Sequence, residues 1–179
     1  VLGLGAGAMA CYARPGQNWT FYEIDPLVVR VARDPNLFTF LSGCAPDAPV
    51  IVGDARLELA KQPAGAYDLV VADTFSSDAV PTHMITREAM QLYLNSIDED
   101  GVILIHVSNR NLAMADVAAR AGLAAGAVVI QRRYLPPQFS YAIFGSEVVA
   151  MARSRAALAP LLADGHWQDS APSPGRAWT

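Results

Sequence analysis

What this chain has little of narrows it first. Basic side chains number 13 against 17 acidic ones, a formal net charge of −4, and the isoelectric point is near 5.2. With no dense Lys/Arg patch there is nothing to neutralise a phosphate backbone, so nucleic acid is excluded as a partner. The nearest approach, "QRRY" at 131–134, reads as an ordinary loop or strand-end pair. No apolar run is long enough to cross a bilayer, and no segment has the layout of a signal peptide. Cysteine is scarce: Cys11 and Cys44 are the two present, at a spacing that fits no metal or redox motif, and both are expected as reduced thiols of a cytoplasmic protein. The nucleophile-elbow pattern G-x-S-x-G is missing. No His, Cys and acid stand at metal-ligand spacing, so no metal is expected.

What the chain does have is apolar surface. At 179 residues and 53% hydrophobic it can bury one core, and a single domain over 1–179 is expected, with 165–179 as a loop-rich tail. Val1 and Leu2 read as the end of a strand whose start lies upstream, so the chain is expected to be a piece of a longer protein. Short continuous runs such as "DLVVAD" and "GVILIHV" suit strands covered on both faces. Strands are expected at Val1–Gly5, Trp19–Glu23, Pro49–Val52, Tyr67–Asp73, Gly101–Val107, Ala127–Arg132 and Tyr141–Met151. Helices are expected at Pro26–Arg33, Ala55–Lys61, Thr86–Ser96, Leu112–Ala125 and Ser154–Ala163, with Asp25 and Thr86 as caps. Alternation of this kind predicts a doubly wound α/β fold, Rossmann-like, with a mostly parallel seven-stranded sheet, helices on both faces and a truncated first strand.

In such a sheet ligands bind beyond the carboxyl ends of the strands. The first strand delivers Gly3, Gly5 and Gly7, which permit a sharp turn and close approach of the backbone to a ligand. The second ends at Glu23 in "FYEIDP", 20 positions after Gly3, where a carboxylate accepts from ribose hydroxyls. The third ends at Asp54, followed by Ala55 in "VGDARLEL"; Asp54 reads either as a helix cap or as an acceptor for an exocyclic amine such as that of adenine. The fourth ends at Asp73 in "YDLVVADTFSSDAVPTHMIT", before a loop carrying Asp78. "GLGAGA" also satisfies the dinucleotide fingerprint G-x-G-x-x-G/A. That fingerprint assigns no task to Asp54 or Asp73, whereas a row of carboxylates suits a cationic adenosyl-sulfonium.

Further residues carry a bland reading, most of them beside a functional one. His83, in the loop after Pro81, reads as bonded to backbone and His106 as a satisfied strand-end histidine. Ser108 and Asn109 either line the cleft or cap the next helix. Phe139 and Tyr141 are candidates for a pocket wall, and Tyr67 and Asp68, at a strand start, are structural.

"LGLGAGAMACYA", "YEIDPLVVRVAR", "VGDARLEL" and "YDLVVADTFSSDAVPTHMITREAMQLYLNSIDEDGVILIHVSN" together resemble the spermidine synthase-like family, the polyamine aminopropyltransferases, over nearly all of residues 1–151. The resemblance implies the class I S-adenosylmethionine-dependent methyltransferase fold. It also implies transfer of an aminopropyl group from decarboxylated S-adenosylmethionine to a polyamine such as putrescine, releasing methylthioadenosine. By position, Glu23 matches the ribose-binding acid, Asp54 the acid that holds the adenine amine, and Asp73 the catalytic acid facing the attacking amine. Asp78 lies near a second amine-binding acid. A homodimer in the cytoplasm is implied as well. The "DTFSSDAVPTHMIT" wording is similar to members fused to transporter-like segments, which implies a membrane-embedded part in the full-length protein. Three departures stand out: Ala6 where aminopropyltransferases carry an aspartate for the ligand's ammonium, "DAVPTH" in place of "DPxGPA", and no N-terminal β-rich segment. Ala6 favours one alternative, a methyltransferase using intact S-adenosylmethionine; the other is a non-catalytic nucleoside- or polyamine-binding module attached to a membrane protein.

Overall fold

The computed structural model describes residues 1–74, 81–109, 111–137 and 145–179. Its contacts gather into two compact units, Val1–Gln62 with Ala72–Thr74, and Pro63–Val71 with Phe75–Thr179.

In the first unit, β1 (Phe21–Glu23) pairs in parallel with β2 (Val50–Val52). The expected first strand is reduced to one residue: Leu2 bridges Tyr22 on one side and Ala72 on the other, both in parallel. Helix α1 (Pro26–Arg33) has the bounds expected. Asp25 accepts from the Leu27 amide at 2.7 Å, Pro26 stands just inside the start, and Arg30 and Arg33 occupy the last turn, where cations suit the helix dipole. Helix α2 (Phe40–Cys44) was not foreseen, because five residues containing Ser42 and Gly43 are too short to display a helical period. Leu41 of α2 joins Leu4, Ala10, Phe21 and Ala32 in the buried cluster of this unit. Helix α3 (Ala55–Leu59) and a 3-10 helix over Ala8–Tyr12 complete it.

One correction follows from α2. It brings Cys44 to within 4.8 Å of Cys11, Cα to Cα, and the two form a disulfide in place of the expected free thiols.

The second unit holds a sheet ordered β3-β4-β6-β5-β7, from β3 (Tyr67–Ala72), β4 (Ile97–His106), β5 (Val128–Tyr134), β6 (Ser146–Ala152) and β7 (Gln168–Asp169). Here the second correction falls. Instead of one mostly parallel sheet of seven strands, the described strands form a two-stranded and a five-stranded sheet, and the β4–β6, β5–β6 and β5–β7 pairs are antiparallel. A parallel neighbour needs a crossover of a dozen or more residues, usually helical, whereas no helical pattern separates the last two long apolar runs. A hairpin-like return was therefore already written there.

Helices α4 (Arg87–Ser96), α5 (Met114–Ala124) and the short α6 (Ala159–Leu162) accompany this sheet. Small side chains let α5 pack closely: Ala118, Ala119 and Ala121 are fully buried. A Cβ at Gly122 would stand 2.5 Å from Met151 Sδ and 3.1 Å from Val129 Cγ2, so helix and sheet touch there without an intervening side chain. Arg153, just past β6, donates to the Leu94 and Ile97 carbonyls at the end of α4. The tail is tied by contact. Ser170 N–H donates to the Val129 carbonyl at 3.1 Å, and the Arg87 N–H donates to the Trp178 carbonyl at 2.8 Å. Ser173 donates from its hydroxyl and its amide to Asp116, which holds that carboxyl below the usual range.

Thr86 Oγ1 accepts from the Ala89 amide at 3.2 Å, the cap expected for α4. Thr86→Ala removes that acceptor from a buried position and is expected to lower stability by about 1 kcal/mol, while Thr86→Ser retains most of it. Urea unfolding followed by circular dichroism measures both.

Candidate functional site at adjacent strand tips

The backbone aligns four chain ends. Glu23 is paired with Val52, and its carbonyl accepts from Gly53 at 2.9 Å. Gly3 N–H donates to the Tyr22 carbonyl at 2.8 Å, and Asp73 N–H to the Leu2 carbonyl at 2.9 Å. Across the tips the order is Asp54, Glu23, the glycine turn and Asp73, all inside the first unit. Elements far apart in sequence are thus brought to one edge.

Glu23 is buried, with 8% of its surface exposed. A carboxylate in that position needs hydrogen bonds to offset lost hydration. It has them: Oε2 accepts from the Leu4 amide at 2.9 Å and Oε1 from the Asp25 amide at 3.0 Å. Each oxygen has a second lone pair, so the group fixes the turn and still has acceptor capacity for hydroxyls. Asp54 Oδ1 accepts from the amides of Arg56 and Leu57 at 2.9 and 3.0 Å, so the capping reading of this residue is met, and Ala55 is the buried first residue of α3. Asp73 follows β3 and is exposed.

The three glycines do different work. Gly3, at φ 89°, lies so close to the Asp73 carbonyl that any Cβ would overlap it. Gly7 presses on α2, where a Cβ would stand 2.8 Å from Leu41 Cγ. Gly5 is exposed, with nothing within 4 Å of a would-be Cβ, and is the open point of the turn. The amides of Gly3, Leu4 and Gly7 are all engaged within the protein, the last with the Leu4 carbonyl at 2.9 Å. The element that follows is a 3-10 helix of five residues, not the α-helix a dinucleotide turn introduces.

Sequence reasoning looked for acids at the tips and missed the exposed apolar residues close to them in the chain. Ile24 is 67% exposed, Val52 51% and Leu57 65%. Exposed aliphatic side chains beside acceptor carboxylates suit a ligand with one flat apolar face and several hydroxyl or amine donors. The signal for Ile24 was present in "YEIDP", an apolar residue directly after the tip acid.

Of the other candidates, Asp78, Phe139 and Tyr141 lie outside the described residues. His83 is exposed in a 3-10 helix over Thr82–Ile85. His106 Nε2 lies 2.6 Å from Ser108 Oγ, which accepts from the Glu147 amide at 2.8 Å. Asn109 Oδ1 accepts from the amides of Asn111 and Leu112, both at 2.9 Å, and so shapes the turn before α5. Among the described residues no group of His, Cys, Asp and Glu is placed to hold a metal ion, and no helix is long and apolar enough to cross a membrane.

The different surroundings of Gly3 and Gly5 make a paired test. Gly5→Ala is expected to cost about 1–2 kcal/mol, the strain of a left-handed backbone alone. Gly3→Ala adds a collision with backbone and is expected to cost on the order of 4 kcal/mol or to prevent folding. Chemical denaturation of the two variants checks the ranking.

No protein-family model matches the chain. A polyamine aminopropyltransferase of Vibrio vulnificus (strain CMCP6) is 28% identical over 111 residues, 58% of this chain and 35% of that protein, so the chain spans about a third of the length of this curated relative. A probable spermidine synthase from Corynebacterium glutamicum ATCC 13032 has a similar structure, with a TM-score of 0.69 at 20% identity over 94% of this chain and 64% of that one. Human Methyltransferase-like protein 13 in complex with SAH follows at a TM-score of 0.60 and 19% identity, over 99% of this chain and 82% of that one. The chain is similar in sequence to a polyamine aminopropyltransferase and has the α/β methyltransferase-type fold found in a spermidine synthase.

Proposed function

We propose that this chain is the nucleoside-binding part of a spermidine synthase-like transferase, which moves an aminopropyl group from decarboxylated S-adenosylmethionine to a polyamine such as putrescine. The observation that carries the reading is the row Asp54, Glu23, glycine turn, Asp73 on adjacent tips, with Ile24, Val52 and Leu57 exposed among them. In this reading Glu23 accepts from the ribose hydroxyls, Asp54 holds the adenine amine while capping α3, and the aliphatic side chains lie against the base. Gly3, Gly5, Gly7 and Ala55 supply backbone close to the ligand. The similarity to a polyamine aminopropyltransferase favours this over a dinucleotide, as does a neighbour of the same fold that holds SAH.

The chemistry asks for little covalent work. A neutral amine nitrogen attacks the methylene beside the sulfonium, the carbon–sulfur bond breaks, and methylthioadenosine leaves with the electron pair on sulfur. The protein has to hold the amine in line and take or orient one proton, which is the role of Asp73, with Asp78 as a second amine-binding acid. A homodimer in the cytoplasm, with a membrane-embedded segment elsewhere in the full-length protein, belongs to the same proposal. One observation favours a second reading. Ala6 gives the turn no carboxylate for an ammonium, which fits intact S-adenosylmethionine and methyl transfer.

Asp73→Asn is expected to lower transfer by about 10²–10⁴-fold while leaving nucleoside affinity largely intact. Mass spectrometry of products from the full-length protein with putrescine measures the first, and calorimetry with methylthioadenosine the second. Turnover that survives the substitution removes Asp73 from the mechanism. Tighter binding of intact than of decarboxylated S-adenosylmethionine would select methyl transfer.

A further inference from the structure

We propose that the thiol state of Cys11 and Cys44 sets the order of the glycine turn, and through it the affinity of the turn for its nucleoside. The second half of the proposal rests on the nucleoside reading above.

The bridge sits where two weak elements meet. Cys11 belongs to the 3-10 helix Ala8–Tyr12 that leaves the turn directly, and Cys44 is the last residue of α2. Each element is five residues long, and neither has a side-chain hydrogen bond at its N-cap. Helices of one turn do not hold their shape alone. Between them lies a small apolar contact, with Ala10 on one side and Leu41 on the other. From the bridge to the tip acids is a short path. Leu41 packs where Gly7 comes closest, the Gly7 amide bonds to the Leu4 carbonyl, and the Leu4 amide bonds to buried Glu23. Loosening Cys11 from Cys44 therefore frees the segment that positions Leu4 against Glu23.

Both cysteines are exposed, so a thiolate from solvent reaches the bridge. A dithiol reductant attacks one Sγ, the S–S bond breaks, and a mixed disulfide forms. The reductant's second thiol closes its own disulfide and releases Cys11 and Cys44 as thiols, so two electrons and two protons pass to the protein. In a compartment that keeps thiols reduced, a bridge of this kind is transient and reports oxidation. The oxidised chain is the form with the ordered turn.

The test compares one protein in two states. The chain is oxidised in air or reduced with dithiothreitol, and alkylation with mass measurement counts its free thiols. Calorimetry then measures methylthioadenosine affinity, and hydrogen exchange follows the amides of residues 4–12. The oxidised form is expected to carry no free thiol, to exchange more slowly over that segment and to bind roughly tenfold tighter. The double variant Cys11→Ser/Cys44→Ser is expected to match the reduced form and to ignore dithiothreitol. Two free thiols after air oxidation overturn the proposal, and so does equal exchange in both states or equal affinity in both states. Faster exchange on reduction, with no nucleoside bound in either state, sustains the control of the turn by the bridge and removes the nucleoside reading.

Discussion

Leu2 is buried and makes parallel bridges to Tyr22 and Ala72 at once, and the glycine turn, Glu23 and Asp73 take their relative places from that pairing. The chain then has to leave the sheet beside the Asp73 carbonyl, which a residue with a Cβ cannot do. Gly3 is the point where backbone hydrogen bonding and steric exclusion act together: one sets Glu23 and Asp73 on either side of the turn, the other fixes how near the turn comes to Asp73. The buried Glu23 closes the arrangement by accepting from Leu4 within the turn and from Asp25 ahead of α1. In the proposed function, ligand geometry and fold stability share the same few bonds.

That sharing explains why single-residue readings of Glu23 and Asp54 remain ambiguous when taken from sequence. Asp54 has the hydrogen bonds of a helix cap and Glu23 those of a buried structural acid. Neither arrangement excludes a ligand, because a carboxylate accepts more than it is given by the backbone. In the proposed function, the structural and the binding roles use different lone pairs of one group.

The local signals in the sequence were strong where they depended on neighbours in the chain. Asp25-Pro26 marked the start of α1, Thr86 that of α4, and the apolar runs located β1 to β6 to within a few residues, apart from the long extension of β4 back to Ile97. The tip acids fell where strand ends place them, since a strand's last residue is fixed by its own apolar run. Sheet connectivity was less legible, because an apolar run does not state its partner's direction; the lack of a helical pattern in the sequence between the last two long apolar runs was the available clue. Leu41 and the Cys11–Cys44 bridge were hidden for a different reason. They depend on α2, a single turn without periodicity, and cysteines 33 positions apart give no hint of proximity until that turn is placed.

The contact between α5 and the sheet bears on sulfur chemistry elsewhere in the chain. Met151 is fully buried, and its thioether lies where Gly122 lets the helix backbone come nearest. When the Cys11–Cys44 bridge is reduced, peroxide reaching the folded protein meets two exposed thiols, while this thioether has no contact with solvent. The reduced protein thereby keeps two thiols open to oxidants and one thioether that solvent does not reach.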